Sequence, residues 1–489
     1  MPRLALQVLI GFALLPSPAR ADPLSEGVAA ILAEAGPGTR WGMVVADEGG
    51  RELIALDPEG RYLPASNTKV LTTAAAAWAL SGEAPVRLPA SARGTSVRLD
   101  KASDDQPPDV VLVGHGDAQM SSAPDCRVDC LAELATQVAA TGVRKVRDVI
   151  GDDTAFPDQR WSAGMSWNNI QTSSGTGVSA LTLDNNEQWL SASATTPGQL
   201  AAINAPAYFT IDNRTLTVAE PTSTIGIDRL LGSRTLVVTG AVGPGRVANI
   251  RVGIDDPAEF TAWRFAALLH AAGVQVTGKV TARHRAALPQ DDPELRGVAP
   301  PPAARAEPPA LATLSPPPTS EDIVLTNKVS QNLHAELLLR QLGAVKGSGS
   351  VGDGLLVVKA MLAQAGVTPL QASASDGSGM STYNRVAPRG MVRLLGWIAH
   401  QSWGAQWRAS LPIGGQDGTL SRRFLGTSLA DGKITAKTGT LNASNALAGY
   451  FTARSGKRLT FAIYANDVPD GIAATPLMDR ALVYLADHS

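Results

Sequence analysis

This chain of 489 residues is poor in cysteine, histidine and aromatic side chains: two Cys, six His and 5% Phe, Trp and Tyr. It also lacks charge of one sign. The formal net charge of -2 gives no electrostatic reason for it to hold nucleic acid or an anionic membrane surface. Beyond the first twenty residues no segment is apolar for long enough to predict a membrane helix. The histidines, His115, His270, His284, His334, His400 and His488, do not cluster with carboxylates, so neither a metal nor any other cofactor is expected. There is no G-x-S-x-G, which argues against a Ser-His-Asp hydrolase of that pattern. His334 reads as a packed or capping residue.

The start of the chain is distinctive. Arg3, the apolar run Leu4 to Leu15 and Ala19-Arg20-Ala21 have the layout of a signal peptide over 1–21, so the mature chain is expected to be exported, to the periplasm. Export makes a Cys126–Cys130 disulfide plausible, and a four-residue spacing suits a loop better than a helix; sequence leaves the bond open. Apolar content of 44% and charged content of 18% are ordinary for a globular protein with large cores.

The coarse order of elements suggests a split domain. Leu24 to Ala35 reads as an amphipathic helix, Arg40 to Ala46 and Arg51 to Leu56 as a hairpin, and the alanine-rich stretch from Val70 as a buried helix. Short strands follow at Val97–Leu99, Val110–Val113, Val146–Ile150 and Ala180–Leu183, with a helix at Leu131–Ala140. Residues 191–257 are rich in Thr, Ser and Gly with β-branched runs, which predicts a small all-β unit. Ala258 to Ala272 is helical again. Residues 287–318 are Pro-rich and expected to be an extended connector. Helices are then expected over Ile323–Leu342, Gly352–Ala365 and Arg389–His400, then strands Ile434–Lys437, Ala446–Ala453 and Leu459–Ala465, and a last helix from Pro476. The expected division is 22–85 with 310–489 as one α/β domain, 86–190 with 258–309 as an inserted domain, and 191–257 nested within it.

Three short motifs carry chemistry. Ser66 lies at or near a helix start, where serine is a favoured cap, and Lys69 is three residues on, on the same face; a hydroxyl beside an amine is a candidate activated nucleophile. Ser330 and Asn332 bracket one residue at the start of an apolar helix. Lys437-Thr438-Gly439-Thr440 reads as a strand whose glycine lets a ligand backbone come close. Each has a bland alternative: a cap with a solvated lysine, an ordinary N-cap, an edge strand with a gatekeeper lysine.

Taken together and in this order, S-x-x-K, S-x-N and K-T-G are the signature of the penicillin-recognising serine acyltransferases. The chain resembles their class C low-molecular-mass group, the D-alanyl-D-alanine carboxypeptidase/endopeptidases of peptidase family S13. The interval of about 260 residues between Ser66 and Ser330 fits the insertion of that group. Val113-Gly114-His115-Gly116-Asp117, Gly151-Asp152-Asp153, Val178-Ser179-Ala180-Leu181, Asp376-Gly377-Ser378-Gly379, Leu411-Pro412-Ile413-Gly414 and Asp417-Gly418-Thr419-Leu420 are also similar to it. The resemblance implies a penicillin-binding/serine β-lactamase-like α/β fold carrying an inserted α/β domain and a nested β-rich subdomain. It implies Ser66 as nucleophile and Lys69 as its base, with Lys437 as one cation that lowers the lysine. Ser330 would relay the proton and Asn332 would hold Lys69 and the substrate amide. Lys437 and Thr438 would bind the substrate carboxylate beside Gly439, and the Ser66 and Thr440 N–H groups would form the oxyanion hole. Asp376, Gly377 and Ser378 would border the substrate. The implied partners are peptidoglycan stem peptides and, as covalent inhibitors, β-lactams. One departure is Asn169, where some members carry an acidic residue for the stem-peptide amino group; Asp152, Asp153 or Asp184 would then take its place. A β-lactamase or esterase, or a non-catalytic peptidoglycan-binding protein, are the competing readings.

Overall fold

The computed structural model describes residues 23–101, 103, 105–303 and 306–489; the expected signal segment, 1–21, lies outside them. Five strands form the central sheet: β1 (Arg40–Asp47), β2 (Glu52–Leu56), β3 (Ile434–Leu441), β4 (Ser444–Thr452) and β5 (Arg458–Asn466). Their order is β3-β4-β5-β1-β2, antiparallel throughout. Met43, Val44 and Val45 are buried on both faces, which is why this run is continuous rather than alternating in hydrophobicity. One face carries the apolar core around the helices Thr68–Ser81, Val351–Gln364 and Pro388–Ala399. The other packs on Pro23–Ala33 and Ala474–His488.

Helix Thr68–Ser81 is buried from Thr68 through Ala79. Alanine favours the helix and, being small, lets its neighbours approach on every side. The helix stops at Gly82, whose φ of 82° a side chain would resist.

Residues between helix Thr68–Ser81 and Thr319 build a second sheet. Its order is Val280–Arg285, Val149–Pro157, Asp109–Val113, Ser96–Asp100 and Ala312–Thr313, with parallel pairing among the first three. The helices Leu131–Ala140 and Pro257–Ala271 share one apolar core with it. Two three-stranded sheets between Glu187 and Gly253 form the β-rich piece.

Several expectations need correction. The single strand Val146–Ile150 is two, Lys145–Val146 and the long Val149–Pro157. Ala180–Leu183 is not a strand; it is irregular backbone whose Ala180 carbonyl accepts from Gly116 N–H, a local bond that no pattern of apolar residues encodes. The Pro-rich 287–318 is not extended throughout: Pro289–Asp291 and Pro293–Arg296 are short helical turns, the latter capped by Asp292, and Ala312–Thr313 adds an edge to the second sheet. The long helix Ile323–Leu342 is two, Thr319–Lys328 and Asn332–Ala344, broken at Ser330. Cys126 and Cys130 are disulfide-bonded in a loop, with Cα atoms 5.8 Å apart.

Candidate active site

Ser66 lies in a 3-10 turn, Ala65–Asn67, that enters helix Thr68–Ser81. It makes no capping bond to the helix, contrary to the role a helix-start serine suggests. Ala65 is held at φ 47°, and the Ala65 carbonyl lies only 1.9 Å from where a Cβ on Gly379 would stand. The Gly377–Gly379 stretch therefore braces the turn by backbone contact, which explains the glycine there.

Lys69 is fully buried. Its Nζ donates to Ser66 Oγ at 2.9 Å, Asn332 Oδ1 at 2.6 Å and the Ser378 carbonyl at 2.6 Å. Burial pulls the amine from 10.5 down to about 7, against an upward pull from the carboxylates of Asp376 and Glu336. The part in this depression expected of Lys437 falls to burial instead. Lys437, also fully buried, is itself held well below its usual value, first by burial and then by the charge of Lys69.

Ser330 occupies the break between two helices at φ 63°, a strained conformation for serine. Its Oγ accepts from Lys437 Nζ at 2.9 Å. Lys437 also donates to the Thr438 carbonyl, and its own carbonyl accepts from Asn67 Nδ2 at 2.7 Å, tying β3 to the nucleophile turn. Asn332 bridges outward, its Nδ2 donating to the Ser174 carbonyl of the insertion. The three motifs, hundreds of residues apart in sequence, thus meet in one chain of contacts: Ser66, Lys69, Asn332 on one side and Lys437, Ser330 on the other.

Strand β3 is at the edge of its sheet. Ala436 N–H bonds outward to Pro412 O, and Ile434 O accepts outward from Gly414. Backbone polarity alternates along an antiparallel strand, so the N–H groups of Thr438 and Thr440 also point away from β4. Gly439 faces the nucleophile turn: a Cβ there would meet Pro64 O at 2.5 Å and Asn67 N at 3.1 Å.

Asp376, Gly377 and Ser378, expected at the substrate, are buried beneath Lys69. Asp376 accepts from Gly379 N, Ser381 N and Asn384 Nδ2, which folds the loop around its own carboxylate. Asp152, Asp153 and Asp184 are all engaged: by Arg283 and Thr154, by Ser179 and His284, and by Ser121 and Ser122. None offers a free carboxylate in place of Asn169. His334 is buried and bonded to Asp322 and Asn185, as a packed residue. Among the described residues no group of His, Cys, Asp and Glu could hold a metal. Sequence reasoning missed Glu336 and Arg340, buried one and two turns beyond Asn332, and Ser174; only the polar i, i+4, i+8 spacing on an otherwise leucine-rich helix pointed to the first two.

Residues 24–487 match the D-Ala-D-Ala carboxypeptidase 3 (S13) family. A D-alanyl-D-alanine carboxypeptidase of Actinomadura sp. (strain R39) is 33% identical over 494 residues, covering 97% of this chain and 86% of that protein. The crystal structure of penicillin binding protein 4 (dacB) from Haemophilus influenzae shares the fold, with a TM-score of 0.76 at 22% identity over 93% of this chain and 98% of that one. A structure of the same protein complexed with a novel beta-lactam has a TM-score of 0.71 at 21% identity, with the same coverage. The family and the fold implied by the three motifs are thereby borne out: this chain belongs to the S13 family of D-Ala-D-Ala carboxypeptidases.

Proposed function

We propose, from that membership, that this serine-type D-Ala-D-Ala carboxypeptidase works through an acyl-enzyme at Ser66. The observation that carries the assignment is the buried Lys69 amine, lowered to about 7 and 2.9 Å from Ser66 Oγ. A half-neutral amine at that distance is a competent general base near neutrality. Ser66 Oγ attacks the carbonyl carbon of the penultimate D-alanine, and its proton passes to Lys69 Nζ. The oxyanion is held by the backbone N–H groups of Ser66 and Thr440. The C–N bond then breaks, and the departing D-alanine amine takes up the proton that Lys69 received, relayed by Ser330, whose Oγ accepts from Lys437. Lys437 and Thr438 bind the terminal carboxylate along the outer edge of β3, a charge-assisted contact. Water then hydrolyses the ester. Asp376, Gly377 and Ser378 act from below, on Lys69.

The substrates are peptidoglycan stem peptides, and D,D-crosslinks are open to the same attack; β-lactams acylate Ser66. Chain organisation follows the same reading: 22–85 and 310–489 catalytic, 86–190 and 258–309 inserted, 191–257 nested. The separate sheets support it, with Ala312–Thr313 crossing the boundary near 310 and Glu187–Ser193 that near 191. Among the described residues no helix is long and apolar enough to cross a membrane. With the signal-like start, this supports an exported, periplasmic enzyme.

Intact mass after incubation with benzylpenicillin tests the assignment, alongside D-alanine release from a peptide ending in D-Ala-D-Ala. One penicillin added to the wild type and none to Ser66→Ala is the expected result. Fast penicillin hydrolysis without an adduct would point to a β-lactamase. Neither adduct nor turnover would leave a non-catalytic wall-binding protein.

A further inference from the structure

Glu336 is an unusual residue to find inside this protein. It lies on helix Asn332–Ala344, one turn past Asn332 and on the same face, and it is 5% exposed. One carboxylate oxygen, Oε1, accepts from Gly377 N at 3.0 Å and Ser378 N at 2.9 Å. The Ser378 carbonyl, on the other side of that residue, accepts from Lys69 Nζ. The other oxygen, Oε2, is buried without a hydrogen-bond partner, and Glu336 lines a small cavity of about 10 Å³ together with Ser174, Asn332 and Ser378. A buried carboxylate is expensive to keep, and a position serving only to hold a loop would be filled by a neutral amide.

We propose that Glu336 is a positioning residue of the active site: through the amides of Gly377 and Ser378 it fixes the carbonyl that holds Lys69, and it supplies a negative charge against which Lys69 takes up the Ser66 proton. The inference rests on Ser66 as nucleophile and Lys69 as its base. When Ser66 attacks, Lys69 becomes an ammonium with no water around it. That charge faces Asp376 and Glu336, which attract it, and it lowers in turn the amine of Lys437 on β3. Asp376 exerts the larger of the two pulls on Lys69, with its oxygens also bonded within its own loop. Glu336 faces Arg340 from one turn further along its helix, but Arg340 bonds to Gln159 instead, through Oε1 and the backbone carbonyl. Burial, then the charge of Asp376, push Glu336 up to about 7.

The test is the rate of acylation by benzylpenicillin across pH 5–9, followed by intact mass, in wild type, Glu336→Gln and Glu336→Asp. The amide keeps an acceptor for the two N–H groups and removes the charge. The expected result for Glu336→Gln is a plateau about tenfold lower and a midpoint about one pH unit more acidic. Glu336→Asp should lower the rate but keep the wild-type midpoint. A Glu336→Gln profile that is unchanged, or lower without a shift, overturns the inference and leaves Glu336 a structural residue. If Glu336→Gln does not fold, Glu336→Asp still decides: a midpoint displaced to acid with the charge retained is incompatible with the role. A wild type that forms no adduct would instead sink the nucleophile assignment itself.

Discussion

A lysine without exposed surface is the centre of this site, and its protonation links activity to stability in opposite senses. The amine must be neutral to accept the Ser66 proton, so acylation should rise with pH through a midpoint near 7. For stability, the folded value lies below the unfolded 10.5, so the unfolded chain binds the extra proton between about 7 and 10.5. Lys69 therefore opposes folding most at and below pH 7, and the penalty fades as pH rises towards 10.5. Lys69→Met should abolish acylation, and its Tm relative to wild type should be highest near pH 6 and fall steadily towards pH 10.5; a pH-independent difference would contradict the buried-charge account. The motif residues that the fold brings together, Ser66 with Lys69 and Asn332, and Lys437 with Ser330, were legible in sequence because a Ser-Lys acyl transfer, the proposed chemistry, needs fixed residue types at fixed spacings. Glu336 was not, since it acts through the amides of Gly377 and Ser378, and a bond to a backbone leaves no motif.

Elements with a strong hydrophobic period were placed correctly: the buried nucleophile helix, and β1, β4 and β5 to within a few residues. What periodicity cannot see is a one-residue interruption. Ile323 to Leu342 keeps a helical pattern across Ser330, yet Ser330 at φ 63° splits it, turning its hydroxyl to Lys437. The candidate site residue is the irregularity. The same lesson holds where β3 meets the nucleophile turn. Gly439 was expected to admit a substrate backbone, but the backbone it admits in the folded chain is that of Pro64 and Asn67. A methyl there must push β3 and the turn apart. Gly439→Ala is therefore expected to slow acylation about 100-fold, the scale of an ångström of misplacement, with Ser66 and Lys69 intact. Acylation kinetics by intact mass would check it; a rate within threefold of wild type would mean the contact relaxes harmlessly.

At the scale of the whole molecule, a change of texture in the sequence pointed to the region of the second sheet, but not to how that sheet and its helices are held. His284 is the tie: Nδ1 bonds Asp153 on Val149–Pro157, and Nε2 bonds Asp256 at the start of Pro257–Ala271, with Arg160 beside it. Bonds first to Asp153 and then to Asp256 raise its imidazole from 6.5 to about 10. A raised value means the protonated form stabilises the fold, fully below about 6.5 and progressively less as pH climbs through 10. His284→Ala should lower Tm at pH 6 to 8, with the gap to wild type closing near pH 10; a constant gap would assign the loss to packing. None of these partners is near His284 in sequence, which is why the histidine read as unremarkable. The central sheet has a similar long-range character. β1 is made early, yet its partner β5 ends at Asn466. At about 5–20 residues per second, synthesis leaves β1 without that neighbour for roughly 20–85 s. For most of that interval the chain holds Ser66 without the KTG strand, and throughout it lacks the complete sheet that aligns the two. A chain interrupted anywhere before its last strand thus lacks the piece that joins the first strand to the one carrying Lys437, and the two halves of the site have nothing to hold them in register.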